Sequence, residues 1–272
     1  MGTTQRIIPG VTGEPNWGDL NKAITNIAKA IEQQKVADAN EDLKPEQVAK
    51  TYKKNTERKN SHIKSAFKNL VKTGGGIKNI SSGKSKSIGR AGLKSSRKLV
   101  DFYTSVSSEG LQKALQNIGL SNLIGKSVQD ITDFLLVYCS DINSGMDETA
   151  ASKATCEVLN EIAKGSDNDL EKFEELINVY VNENGLADIL CQFWGLYIYE
   201  HLSQRFQEKI TQQKGVEISK ETFRTIKEDI MGQVKVLNET RSISKINWQG
   251  EEGSKNIESI FESIIKIICD EN

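Results

Sequence analysis

The chain has 272 residues, enough to bury a sizeable core as one large domain or two small ones. Hydrophobic residues make up 37% of it and charged residues 27%, which suits a soluble chain with a generous polar surface, and all three prolines precede residue 46, which argues against collagen-like, Pro-rich and Pro-punctuated β-sandwich chains. The net charge of −1 hides a segregation. Residues 44–100 carry 16 Lys or Arg against two acids, whereas residues 101–200 carry five basic residues against 17 acids. Such a split has three readings: the two parts pack on each other, the basic part binds an anionic partner, or the acidic part docks a basic one.

Cys139, Cys156, Cys191 and Cys269 show no CxxC or CxxH spacing and lie in apolar helical surroundings, as buried free thiols do. The first 30 residues lack a basic stretch followed by an apolar run, so a reducing cytoplasm is expected. No stretch approaches the roughly 18 uninterrupted apolar residues of a membrane span; the most apolar segment, 186–199, contains Asp188 and Gln192 and reads as a core helix.

Residues 1–18 read as a flexible tail, because Gly2, Gly10, Gly13 and Gly18 with Pro9 and Pro15 defeat helix and strand alike. Ile7, Ile8, Val11 and Trp17 give it apolar anchors for a partner's groove. A helix is predicted from an Asp19 cap through Leu20, Ala23, Ile24, Ile27, Ala28 and Ile31, ending near residues 35–39. Pro45 suits the first turn of a second, very basic helix carrying Val48, Tyr52, Ile63, Phe67, Leu70 and Val71, broken at Thr73-Gly74-Gly75-Gly76. Residues 73–97 are rich in Gly, Ser and Lys, and their sequence admits either a mobile linker or a close-packed helix of small residues. Further helices are predicted at 96–106, 109–118, 127–138, 147–163, 167–181, 186–214, 219–237 and 254–269, with Ser127 (followed by Asp130), Asp147 and Ser219 as caps and Gly165 and Gly215 as stops. Sheet signals are weak. The expectation is an all-α, multi-helix bundle divided into a tail (1–18), a basic helical region (19–98) and an acidic to neutral helical domain (99–272).

Few residues carry chemistry. Gly83-Lys84-Ser85 suggests a phosphate loop, but the motif's first Gly is replaced by Lys78 and no apolar strand precedes it. Lys72, Lys78, Lys84, Lys86 and Arg90 remain candidates to bind an anionic ligand. His62 and His201 have no nucleophile or carboxylate at a useful local spacing and read as surface or packing residues. The acids Asp167, Asp169, Glu171, Glu174 and Glu175 suit a helix N-terminus rather than a calcium loop. Leu190 to Tyr199 reads as core. No metal site, cofactor or catalytic residue is assigned.

The start Met1-Gly2-Thr3-Thr4 is different. A small second residue allows removal of the initiator methionine, and a glycine α-amine, with an ordinary pKa of about 7.7–8.0, is partly the neutral nucleophile near pH 7. Without a Cβ it can thread into a narrow site. Myristoylation wants Ser or Thr where this chain has Arg6.

Three segments together carry a resemblance. They are Met1-Gly2-Thr3-Thr4 with Pro15-Asn16-Trp17; Phe67 through Gly76 with its basic continuation to Arg90 and Gly92; and Leu123 through Ile131 running on to Asp147-Glu148-Thr149-Ala150-Ala151 and Leu159. In that order, over roughly residues 1–165, the chain resembles the QatB components of the Qat anti-phage defence systems of bacteria; the last hundred residues fit only as helical. The resemblance implies neighbours that are an ATPase, a QueC-like enzyme and a TatD-like nuclease. It implies that the chain is a substrate and not a catalyst, with Gly2 accepting a 7-deazaguanine base from the QueC-like enzyme through an amide and Thr3, Thr4, Ile7, Ile8 and Trp17 read by that enzyme. The alternative is a basic helical adaptor that binds nucleic acid or a partner nuclease or ATPase through residues 44–98.

Overall fold

Apolar residues recur at three- and four-residue steps along most of the chain, and the backbone follows that period. The computed structural model describes residues 17–39, 45–122, 125–140, 145–182, 185–240 and 246–269, and no strand occurs among them. The helices are α1 (Gly18–Asp38), α2 (Pro45–Thr73), α3 (Ile77–Ser81), α4 (Arg90–Glu109), α5 (Leu111–Asn117), α6 (Val128–Cys139), α7 (Met146–Gly165), α8 (Leu170–Asn182), α9 (Gly185–Thr240) and α10 (Gly250–Ile268). The all-α expectation holds.

Local signals set several boundaries. Proline starts α2 and the Gly74-Gly75-Gly76 run follows its end. Ser127 and Asp130 form a reciprocal capping box at α6: the Ser127 hydroxyl accepts from the Asp130 N–H at 3.1 Å, and the Asp130 carboxylate accepts from the Ser127 N–H at 2.8 Å. Three caps differ from the sequence expectation. Trp17, not Asp19, holds the cap position of α1, leaving Asp19 in the first turn. Gly145 holds that of α7, and Asp147 turns its carboxylate toward α4. Ser219 lies inside α9.

Helix α9 is two limbs meeting at Gly215, whose φ of 83° is a left-handed conformation that glycine adopts without strain. The limbs run antiparallel. Gly195 of the first lies directly against Ile230, Met231 and Val234 of the second, and Ser219 ties them by donating to the Gln207 carbonyl at 3.1 Å while accepting from Thr211 at 2.8 Å.

The first limb of α9 is the hub. It is buried nearly all round from Leu186 to Ser203, the pattern of a helix enclosed by others. Trp194 stacks on Phe261 of α10 at 3.6 Å and 8°, and meets Phe193 and Tyr197 edge-on at 5.0 and 5.5 Å. Helix α4 reaches this cluster through Gly92, where a Cβ would lie 2.6 Å from the Trp194 ring. Helix α7 runs antiparallel to the limb, with Glu161 opposite Gln192 and Lys153 opposite Glu200. Helices α1 and α2 pair antiparallel, Asp19 near Lys72 and Gln34 near Asn55, and α1 meets both limbs of α9 beside the Gly215 bend, through Glu32–Lys214 on the first and Lys35–Glu217 on the second.

The Gly/Ser/Lys-rich segment is packed and not a free linker: Ile80, Ser81, Ser85, Ser87, Ile88, Ala91 and Gly92 are buried. The boundary expected between residues 98 and 99 falls inside α4. Trp17, assigned to the tail by sequence, belongs to the core at 7% exposure. Tyr52 leaves the apolar face of α2 that Ile63, Phe67 and Leu70 form, and stands 57% exposed; the Val48 side chain lies outside the described residues. Cys139, Cys191 and Cys269 are buried free thiols and Cys156 is half-buried. Among the described residues no helix is long and apolar enough to cross a membrane, and no group of three or more His, Cys, Asp and Glu is placed to hold a metal ion.

Candidate functional site

The site begins with a helix end that cannot cap itself. Gly89 precedes α4, and a Cβ there would sit 2.3 Å from the Ile80 carbonyl oxygen, so close packing against α3 excludes every capping side chain. The leading amides of α4 are satisfied from α7. The Asp147 carboxylate accepts from the Gly89 N–H at 3.2 Å and the Ala91 N–H at 2.8 Å, where the helix end favours negative charge. The Tyr197 hydroxyl donates to the same carboxylate and accepts from the Gly89 N–H. Burial alone would raise the Asp147 carboxyl, but His201, the Ala91 N–H and Tyr197 outweigh it and hold it below its ordinary value. Burial and the adjacent Asp147 charge push the Tyr197 hydroxyl far up, so it stays a donor.

One turn along α9, His201 is fully buried with Nε2 3.5 Å from Asp147. Its other nitrogen, Nδ1, accepts from Arg205 Nε at 3.5 Å. Burial lowers its pKa, Asp147 opposes the shift and Arg205 adds to it, so the imidazole is neutral near pH 7 with Nδ1 as acceptor. Sequence gave His201 no carboxylate; the fold supplies one 54 positions away. Arg205 in turn lies 3.8 Å over the Trp17 ring, and Trp17 and His201 are 6.4 Å apart.

Above this relay opens a cleft of about 720 Å³ lined by the 83–87 loop, Arg90, Arg205 and residues 145–148. It brings together three of the five basic residues that sequence singled out, Lys84, Lys86 and Arg90, and adds Arg205. Lys72 lies elsewhere, 3.9 Å from Asp19, and Lys78 is exposed on α3. Gly83-Lys84-Ser85 follows a helix rather than a strand, and the Ser85 and Ser87 hydroxyls pair with each other at 3.2 Å. Four cations over two carboxylates make the rim suited to an anionic group, while Asp147 on the floor is committed to the helix end. Gly2, Thr3, Thr4, Ile7 and Ile8 lie outside the described residues; Trp17 is anchored at the edge of this site. His62, on α2, has its pKa lowered by partial burial and by Arg58.

Arg205, His201, Tyr197 and Asp147 were missed as a group. The spacing of Tyr197, His201 and Arg205 at successive fourth positions of an apolar helix was the available signal, since buried polar groups need partners. Asp147 was read locally only as the cap of its own helix.

No curated protein and no solved structure matches the chain. A family model described as "Qat anti-phage system associated protein QatB" matches residues 81–268. The match therefore takes in the cleft loop, the α9 hub and all but the last four of the C-terminal hundred residues that the sequence resemblance left as merely helical, and it begins after α1 and α2. With 188 of 272 residues matched, the chain belongs to the QatB family and is a component of an anti-phage defence system.

Proposed function

We propose that the chain is the protein substrate of a QueC-like enzyme of its own defence system. After removal of Met1, the neutral α-amine of Gly2 attacks the carbonyl of an adenylated 7-carboxy-7-deazaguanine. A C–N bond forms, the acyl C–O bond to AMP breaks, and the amine gives up a proton to leave an amide. ATP and the enzyme supply the activation; this chain supplies the amine. Membership in the QatB family is the observation that supports the reading, because it makes the chain one component of an anti-phage defence system.

Two physical points support it. The amine's ordinary pKa of about 7.7–8.0 leaves a usable neutral fraction near pH 7, which a lysine at about 10.4 does not. Trp17 fixes the root of the N-terminal segment to the body, and the 15 residues from Gly2 to Asn16 can reach at most about 50 Å from it. On this reading Thr3, Thr4, Ile7 and Ile8 are the sequence the enzyme reads, Trp17 serves as the root, and the chain does its work as a non-catalytic cytoplasmic component. The system's ATPase and TatD-like nuclease are the further candidate partners.

Intact-mass spectrometry of the chain co-expressed with the other components tests it. The expected result is a deazaguanine amide on the N-terminal peptide, weakened in Gly2→Ala and retained in Lys84→Ala. An unmodified N-terminus in a functional system rejects the reading, and the opposite response of the two variants moves the site to the basic segment.

A further inference from the structure

We propose that the outward face of α2 binds the phosphate backbone of nucleic acid. Helix α2 has eight Lys or Arg against Glu46 and Glu57. Its apolar side, with Ile63, Ala66, Phe67 and Leu70, is buried in the core, chiefly against α1. At 100° per residue the opposite side collects Lys50, Lys54, Arg58, Lys64, Lys68 and Lys72, all of them exposed, with Glu57 as the acid among them. From residue 50 to residue 72 this stripe is about 33 Å long.

The stripe differs from the helix surfaces elsewhere in the molecule. Those pair their charges one turn apart: Glu109 with Lys113, Glu239 with Lys235, Glu251 with Lys255, Glu262 with Lys266 and Glu228 with Arg224. On α2, Lys50, Lys54 and Arg58 follow one another one turn apart, as do Lys64, Lys68 and Lys72, a like-charge spacing that destabilises an isolated helix; Lys72 lies 3.9 Å from Asp19 of α1. The acidic third of the chain does not cover it either. Helix α4, the other basic helix, is the one that packs on α6, α7 and α8, while α2 packs on α1 and touches α10. The basic part of the chain thus divides in two: one basic helix packed against the acidic helices α6, α7 and α8, and one whose cationic face points outward.

The chemistry of the stripe favours phosphate over the other anionic surfaces. Asn60, Ser61 and Ser65 lie among the cations and offer hydroxyl and amide groups of the kind that contact backbone oxygens. A protein interface would need a buried apolar or aromatic centre, and Tyr52, the exposed aromatic of α2, stands at one end. A membrane would need the apolar side of the helix, which is already buried. The inference does not depend on the fate of Gly2.

Fluorescence anisotropy with the full chain and a labelled duplex of about 20 base pairs, in DNA and RNA versions of one sequence, tests it. Binding to at least one duplex is expected, falling at least about tenfold between about 50 and 200 mM salt, and the two duplexes identify the source of the phosphate. The triple variant Lys54→Gln/Arg58→Gln/Lys68→Gln should lose at least about tenfold and flatten the log–log salt slope by about three, from the ~0.9 lost per phosphate contact. The control Lys113→Gln/Lys235→Gln/Lys255→Gln, with an unchanged thermal melt in both variants as the folding check, should keep the affinity of the parent. No binding to either duplex, equal losses in both triple variants, or equal competition by poly-glutamate would overturn the proposal, the last making an acidic protein the occupant.

Discussion

The guanidinium of Arg205 lies 3.8 Å over the ring of Trp17, so the first described residue of the chain is clamped to the central helix. The contact combines a cation over a π face with burial of the indole to 7% exposure. Trp17→Ala should cost about 3–5 kcal/mol of stability, as large-to-small changes in a core do. Trp17→Phe should recover most of it, and Arg205→Ala should cost about 1–2 kcal/mol. Denaturant melts of the three variants check the order; a neutral Trp17→Ala would mean that α1 is not anchored through this ring.

Capping from a distance makes Asp147 a structural keystone for α4. Asp147→Ala leaves the Ala91 amide and the Tyr197 hydroxyl without their acceptor and the Gly89 amide with the Tyr197 hydroxyl alone, so at about 1–3 kcal/mol for each buried group left unpaired a total of about 2–6 kcal/mol is expected. Tyr197→Phe removes one donor and should cost about 1–2 kcal/mol. Amide hydrogen exchange at the start of α4 should rise in Asp147→Ala beyond what the global stability loss produces.

Acid should unfold the protein through His201 before it does so through Asp147. His201 faces Arg205 on its own helix, Asp147 from α7, the Ser87 backbone and the Trp17 ring. Its folded pKa lies below the ordinary 6.5, so the unfolded chain takes up the proton first. Stability from the neutral ring is complete above 6.5 and is lost as pH falls through the folded value. Asp147, also lowered, contributes stability above its ordinary 3.8 that is lost on further acidification. Melting temperatures between about pH 7 and 5 should fall in the parent and fall less in His201→Gln. Equal slopes would exclude the histidine as the source.

Thiol chemistry reports on the same packing. Burial pushes the Cys139 thiol up to about 12, and Cys191 and Cys269 are also buried, whereas Cys156 is half-buried. A thiol reagent at about pH 8 should therefore label Cys156 first in the native protein and the other three cysteines only after unfolding. Rapid native labelling of Cys139 would contradict the packing of α6 on α4 and α7.

Much of this architecture was legible locally. Periodicity located the helices, Pro45 and the Gly74–Gly76 run bounded α2, Ser127 and Asp130 capped α6, and Gly215 split α9, because each of these acts through its immediate neighbours in the chain. The cleft was legible only in part: the run of Lys84, Lys86 and Arg90 was visible as charge, without a location.

What tertiary structure alone decided follows from contacts that span long separations. Asp147 reads as a helix cap until α7 lays it against α4, 56 residues earlier, where Gly89 leaves the helix end bare. Trp17 reads as part of a tail until Arg205, 188 residues on, covers it. Whether a Gly/Ser/Lys-rich segment is a linker or a packed helix depends on what lies opposite, and here Trp194 and Tyr197 leave room at Gly92 for hydrogen and nothing larger. Composition determined the helical class and the charge of each part; only packing determined which charges are spent inside the fold and which face out.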